Sequence, residues 1–245
     1  MKKSQFKICF LGTPDFVQPI KKELAKHFTL VDSLNEADLG VVAAYGHILT
    51  TSELNAPKYG CINIHPSLLP KYRGASPIPE TILHGDKTTG ITIIKMDEAV
   101  DHGPIIYTSE ISLSDQDTFD SLSKKMFAQA ANILPQIIKD FVSGKIIPIP
   151  QDHTKASFCE RLTKEGGYFP INNPPDPQTL DKMIRAYYSW PGVWTLWEVQ
   201  SAKGKVKKVV KFLPEGLIQM EGKKAVSYKD FLNGYPNFPL MLNTN

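Results

Sequence analysis

Cysteine is scarce in this sequence and shows no pairing pattern. Cys9, Cys61 and Cys159 are odd in number and form no C-x-x-C motif. That argues against a disulfide framework or a structural zinc site, and fits a reducing compartment. Long hydrophobic runs are also missing: no stretch approaches the roughly 20 apolar residues that span a bilayer. The N-terminal segment MKKSQFKICFLGTPDF starts basic and turns apolar, but Gly12, Pro14 and Asp15 break it before any cleavage-like site. Nor does charge of one sign dominate. Lys+Arg number 28 and Asp+Glu 25, a formal net charge of +3, so no bulk field announces nucleic acid, although a local patch can still bind it. Internal repeats and low-complexity tracts are absent. The expectation is a cytoplasmic monomer with no membrane association.

What is present is ordinary globular composition, 42% hydrophobic over 245 residues, enough for one full domain and a small second one. Short apolar runs at Lys7–Leu11, Leu39–Tyr45, Cys61–Ile64 and Gly90–Met96 read as buried strands, and Pro104–Leu113 alternates like an antiparallel or edge strand. Helical stretches lie between them, the first N-capped by Asp15 and ending near His27, others around Thr50–Asn55 and Ser76–His84. Strands alternating with helices predict an α/β sheet with helices on both faces. From Thr118 to Val142, Leu122, Met126, Ala130, Ile133, Leu134, Ile137 and Phe141 form one stripe that packs on the sheet, with a kink expected at Pro135. The expected division is a first domain over 1–150, a connector over 151–178 containing NNPPDP, and a small β-rich domain over 179–245.

Two segments carry the chemistry. In Asn63-Ile64-His65-Pro66, Asn63 and His65 are two apart, so an extended strand points both to one face. Pro66 ends the strand, and ligands of open α/β sheets bind beyond the carboxyl ends of strands. The alternative is a buried polar pair satisfied by backbone. The second segment, Met96-Asp97-Glu98-Ala99-Val100-Asp101-His102-Gly103, places three acids in a loop after a strand. A solvated turn would look the same; a metal site is not expected, because no ligand set accompanies the acids.

Together Asn63-x-His65-Pro66-Ser67-Leu68-Leu69-Pro70, then Tyr72-Arg73-Gly74-Ala75-Ser76-Pro77-Ile78, then Asp101-x-Gly103 resemble the folate-dependent formyltransferase family. The resemblance implies a Rossmann-like domain with a mostly parallel sheet, plus a small β-rich, OB-like C-terminal domain. It implies transfer of the formyl group of 10-formyltetrahydrofolate to an amine, with Asn63, His65 and Asp101 catalytic. Amide and imidazole N–H groups suit the oxyanion of acyl transfer, and a carboxylate suits relay of the amine's proton. For the reduced folate it implies His47, Ile48 and Leu49 at the pterin edge, Leu54 and Cys61 as apolar walls, and Ser67, Leu68, Leu69, Pro70, Met96, Asp97, Glu98 and Val100 around the ring. For the apolar residues among these, membership of the core is the competing reading.

For the acceptor, Gly12-Thr13-Pro14-Asp15-Phe16 resembles the methionyl-tRNA branch of the family, so aminoacylated initiator tRNA is the implied partner, with Gly12, Thr13 and Arg73 near it. Between His27 and Leu39 the chain is shorter than that branch, which carries further strand–helix units and a basic loop there. Lys203, Lys205, Lys207, Lys208 and Lys211 form a basic stretch that could hold RNA instead, or merely guard an edge strand. Trp190, Trp194 and Trp197 could stack on nucleotides, or anchor the C-terminal core. A nucleotide-sugar acceptor, hydrolysis of the donor, and a catalytically silent folate- or RNA-binding relic remain the other readings.

Overall fold

The computed structural model describes residues 5–201 and 204–240; the basic start of the N-terminal segment and Lys203 lie outside them. The chain divides into two compact units, Met1–Thr81 with Asp86–Ser114 and Ser121–Arg161, and Ile82–Gly85 with Asp115–Asp120 and Leu162–Asn245. Both units are discontinuous in sequence, and the last passage of the chain from one to the other falls at Arg161/Leu162.

The elements in chain order are β1 (Lys7–Leu11), α1 (Gln18–His27), β2 (Thr29–Val31), β3 (Leu39–Val42), α2 (Thr51–Asn55), β4 (Cys61–His65), β5 (Arg73–Gly74), α3 (Pro77–His84), β6 (Thr88–Lys95), β7 (Ile105–Ser112), α4 (Phe119–Val142), β8 (Phe158–Cys159), α5 (Pro177–Ala186), β9 (Val193–Ser201), β10 (Gly204–Leu213), β11 (Leu217–Met220), β12 (Val226–Ser227) and α6 (Tyr228–Gly234). The main sheet has the order β2-β1-β3-β4-β6-β7. β1, β2, β3 and β4 run parallel, β6 is antiparallel to β4, and β7 is antiparallel to β6. The sheet is therefore mostly parallel. Its inner strands read as continuous apolar runs because both faces are covered: all of β3 is buried, as are six consecutive residues of β6. β7 alternates, as expected of an edge strand.

Three local readings change. Asp15 does not cap α1. Pro14 is extended, Asp15–Val17 forms a 3₁₀ turn, and α1 begins at Gln18 with no side-chain cap. β3 stops at Val42, short of Tyr45, because Ala44 (φ 46°) and Gly46 (φ 81°) turn the chain in the left-handed region. β2 has no counterpart among the strands expected from sequence: three half-buried residues carry too little pattern to read. In α4 the buried face holds Leu122, Met126, Ala130 and Leu134, and the helix continues through the buried Pro135. Phe16 packs on Phe127 and the Gln129 amide donates to Ser109 Oγ at 2.7 Å, tying this helix to β7.

In the second unit β12-β11-β10-β9 form an antiparallel sheet, open among the described residues rather than closed into a barrel. Its core gathers Phe169, Leu180, Val193, Val210, Phe212, Ile218, Tyr228 and Phe231. Trp197 stands edge-on to Phe238 and Tyr235, so it anchors this core. Asp176 caps α5 by accepting from the N–H groups of Gln178 and Thr179.

Candidate active site

β4 delivers Asn63, half-buried, and His65, buried, on one face. Asp101 reaches them by a route the sequence conceals. Because β6 is antiparallel to β4, its end at Lys95 lies opposite Ile62, near the start of β4, and the Met96 N–H donates to Cys61 O. The loop must then double back. Asp101 is left-handed (φ 50°), a conformation that costs a non-glycine residue on the order of 1 kcal/mol. Gly103 follows so tightly that a Cβ there would stand 1.8 Å from Lys95 O.

The result is a three-residue cluster. Asn63 Nδ2 donates to Asp101 Oδ1 at 3.1 Å, and His65 Nδ1 lies 3.4 Å from the same oxygen. The Gly74 N–H donates to Oδ2 at 2.9 Å. His65 Nε2 is 2.8 Å from the Tyr72 carbonyl, which only accepts, so Nε2 carries a proton. The Nδ1 edge is thus the one that faces Asn63 and Asp101. Asn63 keeps a second amide hydrogen for an incoming oxygen.

Residues 72–74 are a platform under both partners. Tyr72 (φ 61°) and Gly74 (φ 117°) bend the chain, and a Cβ at Gly74 would lie 2.2 Å from Cys159 O. β5 pairs with β8, and the Tyr72 N–H donates to Ser157 Oγ at 2.9 Å. Arg73, which the resemblance sets near the acceptor, is buried instead. Its guanidinium donates to Gln151 Oε1 at 2.7 and 3.3 Å and to His153 Nδ1 at 2.8 Å. His153 stacks on His102, which donates to Asp97. Burial pushes the Cys159 thiol up to about 11, so a thiolate nucleophile is disfavoured there. Gln151 joins this site without a signal in the sequence, and Tyr72 and Gly74, though they belong to the motif that carries the resemblance, take part in a way the motif does not reveal. Tyr72 and Gly74 act through main-chain atoms, and Gln151 stands alone in a stretch without periodicity.

Beside the cluster lies an apolar group of Val42, Leu49, Leu54 and Cys61, edged by Leu11, Leu34, Tyr45 and Met96. The loop after β3 leaves His47 and Ile48 exposed, and among the described residues no main-chain hydrogen bond involves Tyr45–Leu49. Open donors and acceptors above an apolar floor fit a flat heteroaromatic edge. Glu98 accepts from Thr51 Oγ1 at 2.8 Å, bridging the loop after β6 to α2, while Val100 is exposed. Ser67 and Leu69 turn inward: Ser67 Oγ donates to Lys71 O, and Thr92 Oγ1 ties Ser67 O to the Leu69 N–H. Leu68 covers Gly90, and Pro70 follows a cis bond. These four shape the turn after β4; the two that are buried, Ser67 and Leu69, offer little surface to a ligand. Gly12 serves packing, since a Cβ there would lie 2.7 Å from Ala43 O, and Thr13 Oγ1 donates to Ala44 O.

On β10, alternation puts Lys205, Lys207 and Lys211 on one face and Lys208 on the other, with Val210 and Phe212. Glu198 pairs with Lys205 at 2.8 Å, so the stretch is partly neutralised. Trp190 is exposed; Trp194 donates its indole N–H to Lys164 O.

A sheet of this order, with an amide, an imidazole and a carboxylate gathered beside β4, defines a class. The formyl transferase family matches residues 11–138, and the chain belongs to that family. Among its relatives, the methionyl-tRNA formyltransferase of Roseiflexus castenholzii is 42% identical over 187 residues, covering 76% of this chain and 58% of that protein. That of Thermodesulfovibrio yellowstonii is 34% identical over 239 residues, covering 89% of this chain and 76% of that protein. The chain thus spans less than two thirds of the length of some curated relatives. In structure it resembles HypX from Aquifex aeolicus in complex with tetrahydrofolic acid, with a TM-score of 0.69 at 16% identity over 96% of this chain and 48% of that one.

Proposed function

We propose that this chain transfers a formyl group from 10-formyltetrahydrofolate to the amino group of methionyl-tRNA. The observation that carries the chemistry is the convergence of Asn63, His65 and Asp101, drawn from β4 and a loop 38 residues away. The relatives' names support the acceptor. The bound folate supplies the formyl carbon, and its ring is assigned to the open loop Tyr45–Leu49 and the apolar group beside it.

Asn63 directs its second amide hydrogen at the formyl oxygen as the amine adds and negative charge develops. His65, protonated on both ring nitrogens, donates from Nδ1 to the same oxygen while Nε2 donates to the Tyr72 carbonyl that holds the ring. Asp101 takes the proton the amine loses, directly or through one water, and returns it to N10 as the C–N10 bond breaks, so the formyl group stays on the amine nitrogen and tetrahydrofolate leaves neutral. No protein nucleophile is needed. Release of tetrahydrofolate with methionyl-tRNA, an amino-sugar nucleotide or water as acceptor tests the reading. Turnover with the amino sugar and none with tRNA would replace the acceptor, and no turnover with any of them would remove the activity.

A further inference from the structure

We infer that Gln151 is a positioning residue for Asp101, through two hydrogen bonds from its carboxamide nitrogen; the inference rests on the catalytic reading of Asp101 above. Gln151 is buried and lies beyond the family match, which ends at residue 138. Nε2 donates to the carbonyl of Asp101 at 2.9 Å and of Gly103 at 2.7 Å. The orientation of the amide is fixed by its other end. Arg73 has only donors, two of which meet Oε1, so Nε2 must face the carbonyls.

These bonds close a ring. Arg73 is joined covalently to Gly74, whose N–H holds Asp101 Oδ2. The Asp101 carbonyl is held by Gln151, and Gln151 by Arg73. The carboxylate of Asp101 and its left-handed backbone are therefore fixed from two sides by one rigid pair. Both ends matter, because a left-handed aspartate has no intrinsic reason to stay where Asn63 and His65 need it. His153 takes a further guanidinium hydrogen and steadies the pair.

Two substitutions separate positioning from mere packing. Gln151→Glu has the same size and keeps a partner for Arg73, but presents oxygen to both carbonyls; Gln151→Ala removes the group. If Gln151 only fills space and pairs with Arg73, Gln151→Glu is neutral. If it positions Asp101, kcat falls by about 100-fold in Gln151→Glu while KM for 10-formyltetrahydrofolate stays within about twofold. Hydrogen–deuterium exchange of residues 97–104 should rise about tenfold at unchanged exchange of β1 and β3. Wild-type kcat and exchange in Gln151→Glu would overturn the inference. A wild type inactive with every acceptor sinks the proposed function instead, and the exchange data then decide on the clamp alone.

Discussion

Asn63 lends one amide hydrogen to Asp101, so the reacting oxygen and the carboxylate draw on the same small group. Losing an oxyanion donor costs on the order of 10²–10³ in turnover, and Asn63→Ala and His65→Ala should each show that loss in single-turnover formyl transfer, with folding intact. Asp101→Asn should be comparably damaging. Because the three share one oxygen, Asp101 Oδ1, the double variant Asn63→Ala/Asp101→Asn should lose far less than the product of the single losses. Multiplicative losses would show that they act independently. At this scale the sequence is informative where side chains repeat with period two, as for Asn63 and His65. It is silent where the Tyr72 carbonyl and the Gly74 amide do the holding, because a main-chain group has no residue type.

Strand order decides which chemistry each element can offer. β4 and β8 carry Cys61 and Cys159, whose thiols burial lifts from 9.0 to about 11. Folding therefore retains protons that the unfolded chain releases, so this contribution is complete below pH 9 and lost as pH rises towards 11. Urea titrations from pH 8 to 11 should show a shallower alkaline decline for a Cys61→Ala/Cys159→Ala variant than for wild type, whatever its absolute stability. An identical decline would rule the thiols out. The loops after β3 and β6 should bind the donor: a 10-formyltetrahydrofolate analogue should raise Tm and NAD should not, and the reverse would exclude the folate site. β1, β3, β4, β6 and β7 are legible from apolar runs because each is long enough to show its burial. β2 is not, and neither is the doubling back of the loop after β6, since an antiparallel neighbour cannot be told from a parallel one by composition.

For the molecule as a whole, the proposed acceptor is much larger than the amine that reacts, and its body needs a holding surface of its own. The second unit offers Lys205, Lys207 and Lys211 along one face of β10, and Lys208 turned away from them. If that face holds the tRNA backbone, each lysine–phosphate pairing abolished by a change to alanine should flatten the slope of log K against log salt by about 0.7–0.9. A Lys205/Lys207/Lys211 triple alanine variant should then raise KM for methionyl-tRNA and leave the folate KM unchanged. Lys208→Ala should do much less. Equal slopes for triple variant and wild type would remove the face from the account. The lysines can be counted in the sequence, but their division between two faces needs the register of β10 with β9. The pairing of β5 with β8 carries a different consequence. A ribosome making this chain completes Asn63, His65 and Asp101 long before it adds the strand that steadies them. Until Phe158 and Cys159 have emerged, Tyr72–Gly74 has no edge to lie against, and the nascent polypeptide carries all its reacting groups without yet having a place for them to work.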